Sequence, residues 1–195
     1  MSTQPADEQD VLDMARLAAG HNAALDDLME RHGERLFHYL IRLLQNEEEP
    51  SDVAQETFVR VFQNRARFKA NAKFATWLYT IATNLARTGF RWRKRHPHVS
   101  LDAESPVSGQ NFRECLPDGQ ATPSESAQAH ERIETIKNAL AELPADLRTA
   151  LILFEYEQKS QIEIAAILEC SAKAVEMRIY RARQLLKEKL KSLLP

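Results

Sequence analysis

Hydrophobic positions in the first half of the chain recur every three to four residues, the period of helices with one buried face. This pattern predicts a short helix over residues 10–19, followed by helices over residues 23–45, about 51–67 and 73–95. Between the second and third of these, the polar stretch NEEEPSD interrupts the pattern. We expect Pro50 to act as a stop there and Ser51 to serve as the N-cap of the third helix.

The apolar period disappears over residues 96–128, where Pro, Ser, Gly, Gln and acidic residues dominate. Such a composition is typical of a flexible linker. Helical spacing resumes over residues 129–143 and again, after Pro144, over residues 146–156. The predicted fold is all-α, with two small helical domains. Its parts are an acidic N-terminal segment (1–21), a first module (22–95), an acidic linker (96–128) and a second module (129–195).

The stretch SQIEIAAILECSAKAVEMRIYRARQLLKEKL, residues 160–190, predicts two short helices joined by a tight turn. Ser160 and Glu163 have the spacing of a capping box at the start of the first helix. Ser171 is the expected N-cap of the second helix. Two capped helices with a tight turn are typical of the helix-turn-helix motif that reads DNA.

The second helix of this pair has one apolar stripe that is expected to pack inward. The stripe consists of Val175, Ile179, Ala182, Leu186, Leu190 and Leu193. The side chains pointing away from it are those of Lys173, Met177, Tyr180, Arg181 and Gln184, flanked by Glu176, Arg178 and Arg183. Arg can bind guanine bidentately, Gln can bind adenine, and Met and Tyr can contact thymine methyl groups. Lys173 and the flanking Arg residues suit phosphates.

The formal net charge of −2 does not by itself suggest a DNA-binding protein. The charges are segregated, however, because residues 57–101 carry many Lys and Arg and no Asp or Glu. Aromatic residues, including Trp77 and Trp92, are interleaved with these cations. Such a mixture can stack unpaired bases while holding the nucleic-acid backbone, although Trp77 can equally be part of the core.

On the third helix, a polar stripe of Asp52, Glu56, Val59 and Gln63, with Gln55 beside it, faces away from the apolar side. It is either an ordinary solvated face or a docking surface for a basic partner helix. A catalytic pair or a metal site at Asp52 and Glu56 is disfavoured, since no His, Ser or Cys is spaced to assist. The pattern His96-x-His98 with Cys115 also lacks a recognised ligand spacing.

The sequence contains no long apolar run, so no transmembrane span is predicted. The polar, acidic N-terminus does not resemble a signal peptide. Cys115 and Cys170 are the only cysteines, so a disulfide framework is not expected. A cytoplasmic protein without metal or cofactor is the simplest interpretation.

Two separate stretches resemble the same family. SDVAQETFVRVFQ with FATWLYTIATNLA is similar to conserved region two of the sigma-70 family, and IEIAAILECSAKAVEMRIYRARQLL is similar to region four. These two regions alone, joined by a short linker, resemble the extracytoplasmic-function (ECF) sigma factors of bacteria. The resemblance implies a non-enzymatic initiation factor that binds core RNA polymerase and directs it to promoters.

The resemblance also implies roles for individual residues. Docking on the clamp helices of the β′ subunit would fall to Asp52, Gln55, Glu56, Val59 and Gln63. Capture of a flipped base and of the non-template strand at the minus-ten element would involve Phe68, Lys69, Asn71, Lys73, Asn84, Arg87, Arg91, Arg93, Lys94 and Arg95. Reading of the double-stranded minus-thirty-five element would involve Ser171, Lys173, Glu176, Met177, Arg178, Tyr180, Arg181, Arg183 and Gln184.

Further partners implied by the resemblance are the β flap, which region four contacts, and an anti-sigma factor that covers these surfaces. The chain departs from the common family pattern at four positions. Glu169 stands where a glycine is usual in the turn, Glu176 and Met177 replace a basic residue and a serine, and Thr88 replaces a frequent aspartate. Promoter preference therefore cannot be transferred from relatives.

Three other functional classes fit the sequence less well. A stand-alone helix-turn-helix regulator explains residues 146–190, but it leaves the basic, aromatic first module without a purpose. It also predicts an effector pocket or a phosphoacceptor aspartate, and neither is visible. An anti-sigma factor or adaptor is disfavoured by the cations on the predicted DNA faces. An enzyme is disfavoured because no nucleophile–base or metal set is apparent.

Overall fold

A computed structural model describes residues 5–45, 49–95 and 123–191 of the chain. The side chains described are those of residues 7–45, 50–88 and 131–191. Throughout these ranges the regular secondary structure is helical, in agreement with the predicted all-α fold. The helices are α1 (Pro5–Ala18), α2 (Ala23–Leu44), α3 (Glu49–Gln63), a 3₁₀ turn (Arg65–Arg67), α4 (Phe74–Arg95), α5 (Pro123–Ala141), α6 (Ala145–Glu155), α7 (Gln161–Leu168) and α8 (Ala172–Lys189).

The start of α3 differs from the sequence-based prediction. The helix begins at Glu49, so Ser51 lies inside it and is not its N-cap. Pro50 is in the first turn, where its missing N–H has no helical acceptor to satisfy and its fixed φ suits the helix. Pro50, which was expected to end a helix, therefore lies at the beginning of α3. The helix also ends earlier than expected, at Gln63, and the chain continues into the 3₁₀ turn.

Two other helices begin earlier than predicted. The first helix starts at Pro5 and the fifth at Pro123, so the end of the predicted linker is helical. The remainder of that linker lies outside the described residues, and the proposed domain boundaries stay a prediction.

The core of the first module is formed by α2, α3 and α4, which pack along one another. Phe58 and Val61 of α3 and Phe74 and Leu78 of α4 are buried, as the apolar stripes predict. Ile81 and Leu85 of α4 are half-buried. One buried polar contact, between the hydroxyls of Tyr39 and Thr83 at 2.8 Å, joins α2 to α4.

Acidic residues of α1 form a buried ion-pair cluster that attaches this helix to α2. Asp10 and Asp13 are 1% and 0% exposed. Arg31 donates to both carboxylates, at 2.8 Å to Asp13, and His32 Nε2 lies 2.9 Å from Asp10. Burial alone would raise the pKa of Asp13, but hydrogen bonds from Arg31, Gln9 and Arg16 outweigh it and lower the pKa below its usual value.

We expect Asp13→Ala to lower the free energy of unfolding by about 2–4 kcal/mol, since it leaves Arg31 without one of its partners. The exposed Asp27, which pairs only with Arg16 among the described residues, is the matched control, and Asp27→Ala should cost below about 1 kcal/mol. Because the pKa of Asp13 is depressed in the folded protein, its contribution is present above about pH 4. This stabilisation is lost as the pH falls through the pKa that Asp13 has in the folded protein. Urea denaturation at neutral pH and at about pH 3 measures both effects; equal losses in the two variants would contradict the assignment.

The second module consists of α5 to α8, with α7 and α8 forming the helix-turn-helix. The predicted capping box is confirmed, since Ser160 Oγ accepts from the Glu163 amide at 3.3 Å and the Ser160 amide donates to Glu163 at 2.9 Å. Ser171 accepts from the Ala174 amide at 3.1 Å, which confirms it as the N-cap of α8. The turn between the helices is closed by Glu169 in the left-handed conformation, with φ 52° and ψ 48°.

We expect Glu169→Gly to stabilise the protein by about 0.5–1 kcal/mol. Removing the Cβ of a left-handed residue relieves about 1–2 kcal/mol of strain in the folded state. Glycine has more conformational freedom in the unfolded chain, and this offsets about 0.5–1 kcal/mol of the stabilisation. Ala166, exposed in α7 with helical dihedrals, provides the matched control. Ala166→Gly should destabilise by about 1 kcal/mol. Urea denaturation measures the midpoint of unfolding for both variants. If Glu169→Gly and Ala166→Gly shifted this midpoint in the same direction, the prediction would be wrong.

The two modules pack against each other, through α4 on α7 and α2 on α6. Their buried side chains form one continuous cluster, from Leu17 in α1 and Tyr39 in the first module to Ile152 and Ile164 in the second. The helix-turn-helix is therefore held against the first module.

Candidate nucleic-acid interfaces

The outer face of α8 is accessible, as the helical wheel predicts. Val175, Ile179 and Ala182 are buried on the inner side. Met177 is 39% exposed and Tyr180 is 57% exposed, and between them and α6 lies a cleft of about 330 Å³ lined also by Phe154 and Arg183. The exposed members of the predicted set are Ser171, Lys173, Glu176, Met177, Tyr180, Arg181, Arg183 and Gln184, while Arg178 is half-buried.

The cations of this face differ in how they are held. Arg183 donates to Glu155 at 2.6 Å, and its guanidinium lies 5.3 Å from the centre of the Phe154 ring, close enough for a cation–π contact. Arg178 donates to Cys170 Sγ at 3.3 Å and lies 3.6 Å from Asp146.

Lys173 pairs with Glu176 at 2.9 Å within α8. Among the described residues, Arg181 forms no ion pair and keeps its guanidinium available. Glu176, one of the departures from the family pattern, thus neutralises the lysine nearest the start of the helix.

The polar stripe of α3 also lies at the surface. Asp52, Gln55 and Gln63 are exposed, and Val59 is 45% exposed. Glu56 pairs with Arg60 at 2.8 Å on the same helix. A row of acidic and amide groups around one exposed apolar side chain suits a basic helix as partner.

The loop between the 3₁₀ turn and α4 contains four predicted minus-ten residues. Lys69, Asn71 and Lys73 are exposed. Phe68 is half-buried, with its ring centroid 6.1 Å from that of Phe74 and 5.5 Å from that of Trp77. The aromatic cluster anchors the base of the loop and leaves the polar groups of the loop outside.

Beside this loop, a cleft of about 380 Å³ separates the end of α3 from α4. Its walls combine an aromatic surface with cations and amides, which are the groups that stack and hydrogen-bond an unstacked base. The lining residues are Arg60, Asn64, Arg67, Trp77, Ile81, Asn84, Leu85 and Thr88.

Asn84 was predicted for this site, whereas Arg60, Asn64 and Arg67 were missed as candidates. Their spacing of four and three residues, which places side chains on one helical face, is the signal that could have found them. Thr88, another departure, donates to the Asn84 carbonyl at 2.9 Å. Arg87 is half-buried; the side chains of Arg91, Arg93, Lys94 and Arg95 lie outside the described part of the chain.

Metal and membrane features can be assessed only for the described residues. There, no group of His, Cys, Asp and Glu side chains is arranged to hold a metal ion. His96, His98 and Cys115 fall outside the described residues. No helix in the same ranges is long and apolar enough to cross a membrane.

Comparison with known families identifies both modules. Residues 28–96 match the model of sigma-70 region 2, and residues 133–186 match that of sigma-70 region 4. The chain is 35% identical to the ECF RNA polymerase sigma factor SigW of Bacillus subtilis, over 89% of this chain and 92% of the relative. It is 33% identical to the RNA polymerase sigma-H factor of Pseudomonas aeruginosa, over 100% of this chain and 98% of that protein. The chain belongs to the ECF sigma factors of the sigma-70 family.

Solved structures of this sigma-factor family have the same fold. The chain is similar to CnrH, solved in complex with the cytosolic domain of CnrY, at 27% identity and a TM-score of 0.69, covering 94% of this chain and 98% of CnrH. It is also similar to RpoE of Bartonella quintana, solved with the anti-sigma factor NepR, at 25% identity and a TM-score of 0.64. That likeness covers 85% of this chain and 96% of RpoE. Helices α7 and α8 fall within region 4 of this ECF sigma factor, and α3 and α4 within region 2.

Proposed function

We propose that this ECF sigma factor binds core RNA polymerase and directs promoter-specific initiation with three separate surfaces. Region 2 carries a polymerase-docking face on α3 and a minus-ten site beside α4, and region 4 carries the minus-thirty-five reader on α8. The observation that carries the proposal is the presence of both family regions in one chain. A stand-alone helix-turn-helix regulator would need only the second.

The docking face consists of Asp52, Gln55, Glu56, Val59 and Gln63, which meet the clamp helices of β′. Exposure of Val59 among acidic and amide groups supports this role, since an apolar side chain at the centre of a polar rim is a common interface design. Region 4 contacts the β flap, and no particular residues of region 4 are assigned to this contact.

At the minus-ten element, the loop residues Lys69, Asn71 and Lys73 hold the non-template strand, together with the basic end of α4. We infer that the cleft with Trp77 and Asn84 receives an unstacked base. Flipping a base costs a few kcal/mol, so a stacking surface and amide groups must offset it. Arg60 and Arg67, on the rim of the cleft, are additional phosphate contacts.

At the minus-thirty-five element, the bases are read by the outward side chains of α8 that have no ion-pair or hydrogen-bond partner among the described residues. Arg181 and Gln184 supply hydrogen bonds, and Met177 and Tyr180 supply apolar contacts. Lys173, Arg178 and Arg183 are paired with acids of the protein, so they are less available to the DNA than Arg181, and their main role is to orient the helix.

Beyond polymerase and promoter DNA, an anti-sigma factor is the third partner of this chain. Two structural relatives were solved as complexes, RpoE with the anti-sigma factor NepR and CnrH with the cytosolic domain of CnrY. As a sigma factor, the chain is expected to act in the cytoplasm as a non-enzymatic factor without cofactor or metal.

Co-elution of the purified protein with bacterial core RNA polymerase, followed by run-off transcription on genomic fragments, tests the proposal. Binding together with new, defined start sites is the expected result, and aligned start sites would give the promoter. Folded, inhibitor-free protein that neither binds polymerase nor changes start sites would overturn the proposal in favour of a stand-alone regulator.

A further inference from the structure

A carboxylate of region 4 is buried against donors of region 2. Glu157 follows α6 and is 2% exposed. Arg35 of α2 donates to its carboxylate at 2.9 Å and to its backbone carbonyl at 2.8 Å, and Tyr79 of α4 donates at 2.5 Å. Arg42 of α2 lies 3.8 Å away. Burial and the charge of Glu157 raise the pKa of Tyr79, so its hydroxyl remains a donor.

Cation–ring contacts surround this buried carboxylate and also cross between the modules. The guanidinium of Arg42 lies 4.6 Å from the centre of the Tyr156 ring, and Lys159 Nζ lies 5.0 Å from the centre of the Tyr79 ring. Each module thus supplies both cations and rings to the other. A buried carboxylate with several donors is destabilised strongly when its partners are removed, so this cluster opposes separation of the modules.

A second ion pair connects the helix-turn-helix to the minus-ten loop. Lys73 Nζ lies 3.1 Å from Glu163 of α7 and 3.7 Å from Asp7 of α1. Hydrogen bonding and the charge of Glu163 raise the pKa of Lys73. While α7 packs on α4, this loop cation is neutralised by acids of the protein itself and is not available to a phosphate.

The closed arrangement also conflicts with the span of a promoter. By their names, the two promoter elements lie about 25 base pairs apart, or roughly 85 Å along B-form DNA. A compact chain of this length has a radius of gyration of about 16 Å, too small to reach both elements at once. Residues 96–122, by covalent length alone, permit a separation of up to about 90 Å.

We propose that Glu157 and its donors Arg35 and Tyr79 form an intramolecular clasp that holds region 4 on region 2 and masks the minus-ten loop until polymerase or DNA separates them. The masking rests on the proposed minus-ten function of that loop. The clasp itself is independent of that function, because it concerns only the distance between the two modules.

Small-angle X-ray scattering of the full chain tests the clasp. Glu157→Ala and, from the other module, Arg35→Ala should each raise the radius of gyration clearly above the value of about 16 Å that a compact chain of this length has. Glu188→Ala removes the same charge from an exposed site on α8 and should leave it unchanged. The same radius of gyration in the wild type and all three variants would overturn the clasp.

Fluorescence anisotropy with a short labelled oligothymidylate tests the masking. The apparent Kd rises as the competent fraction falls, so we expect the two opening variants to bind at least roughly fivefold more tightly than the wild type and Glu188→Ala. Opening without tighter binding would overturn the masking. Polymerase co-elution of the same proteins reports separately on the proposed sigma function, which survives either failure.

Discussion

We expect Asp52→Arg combined with Glu56→Arg to weaken docking on core RNA polymerase by at least about 100-fold. Both side chains lie on the exposed face of α3, and like charges placed against a basic partner helix cost several kcal/mol. Glu56 also pairs with Arg60, and an arginine at position 56 would repel that neighbour. Co-elution with core polymerase measures the loss.

The matched control is the double reversal Glu30→Arg with Glu34→Arg, which has the same spacing on exposed positions of α2. It should leave docking unchanged. The docking-face variant should still bind duplex DNA through region 4. Loss of both polymerase and DNA binding would indicate misfolding, and retained docking would remove α3 from the interface.

The second large effect is expected at Arg181. In Arg181→Ala, binding of the holoenzyme to the upstream promoter element should fall by about 1–3 kcal/mol and base choice should relax at one position. The reason is that this guanidinium is exposed on the outer face of α8 and, among described residues, has no ion-pair partner. Binding to a panel of fragments with single substitutions in the minus-thirty-five element measures both effects.

Arg183→Ala is the control on the same helix. Because Arg183 is held by Glu155 at 2.6 Å, its removal should weaken binding less and should leave base choice intact. If Arg181→Ala weakens all fragments equally and lowers the salt dependence by about one phosphate contact, Arg181 is a phosphate contact and not a base reader.

Local features of the chain were predicted well because their causes are local. The period of apolar residues places Val175 and Ile179 inside and Arg181 outside whatever the rest of the fold does. The Ser160–Glu163 capping box needs only a spacing of three residues. The error at Ser51 is also local, since Pro50 fits both a stop and a first turn, and composition alone did not distinguish them.

The cleft beside α4 was predicted only in part. Asn84 and the loop were reached through resemblance, but Arg60, Asn64 and Arg67 come from a different helix and meet Trp77 only after α3 and α4 pack. The N-terminal segment is acidic in sequence, but its composition does not show that Asp13 is buried against Arg31, eighteen residues later. Which of several acids is buried depends on which cation packing brings to it.

Local patterns in the sequence predict the helices of both modules, the caps at Ser160 and Ser171, the exposed face of α8 and, through two motifs in order, membership of the sigma factors. All of these depend on residues within a few helical turns of one another. Two contacts become visible only in the folded chain: Glu157 is a buried acceptor for Arg35, 122 residues away in the chain, and Lys73 of the minus-ten loop pairs with Glu163. Contacts across such separations follow from how two amphipathic modules pack together, and no local pattern encodes that choice.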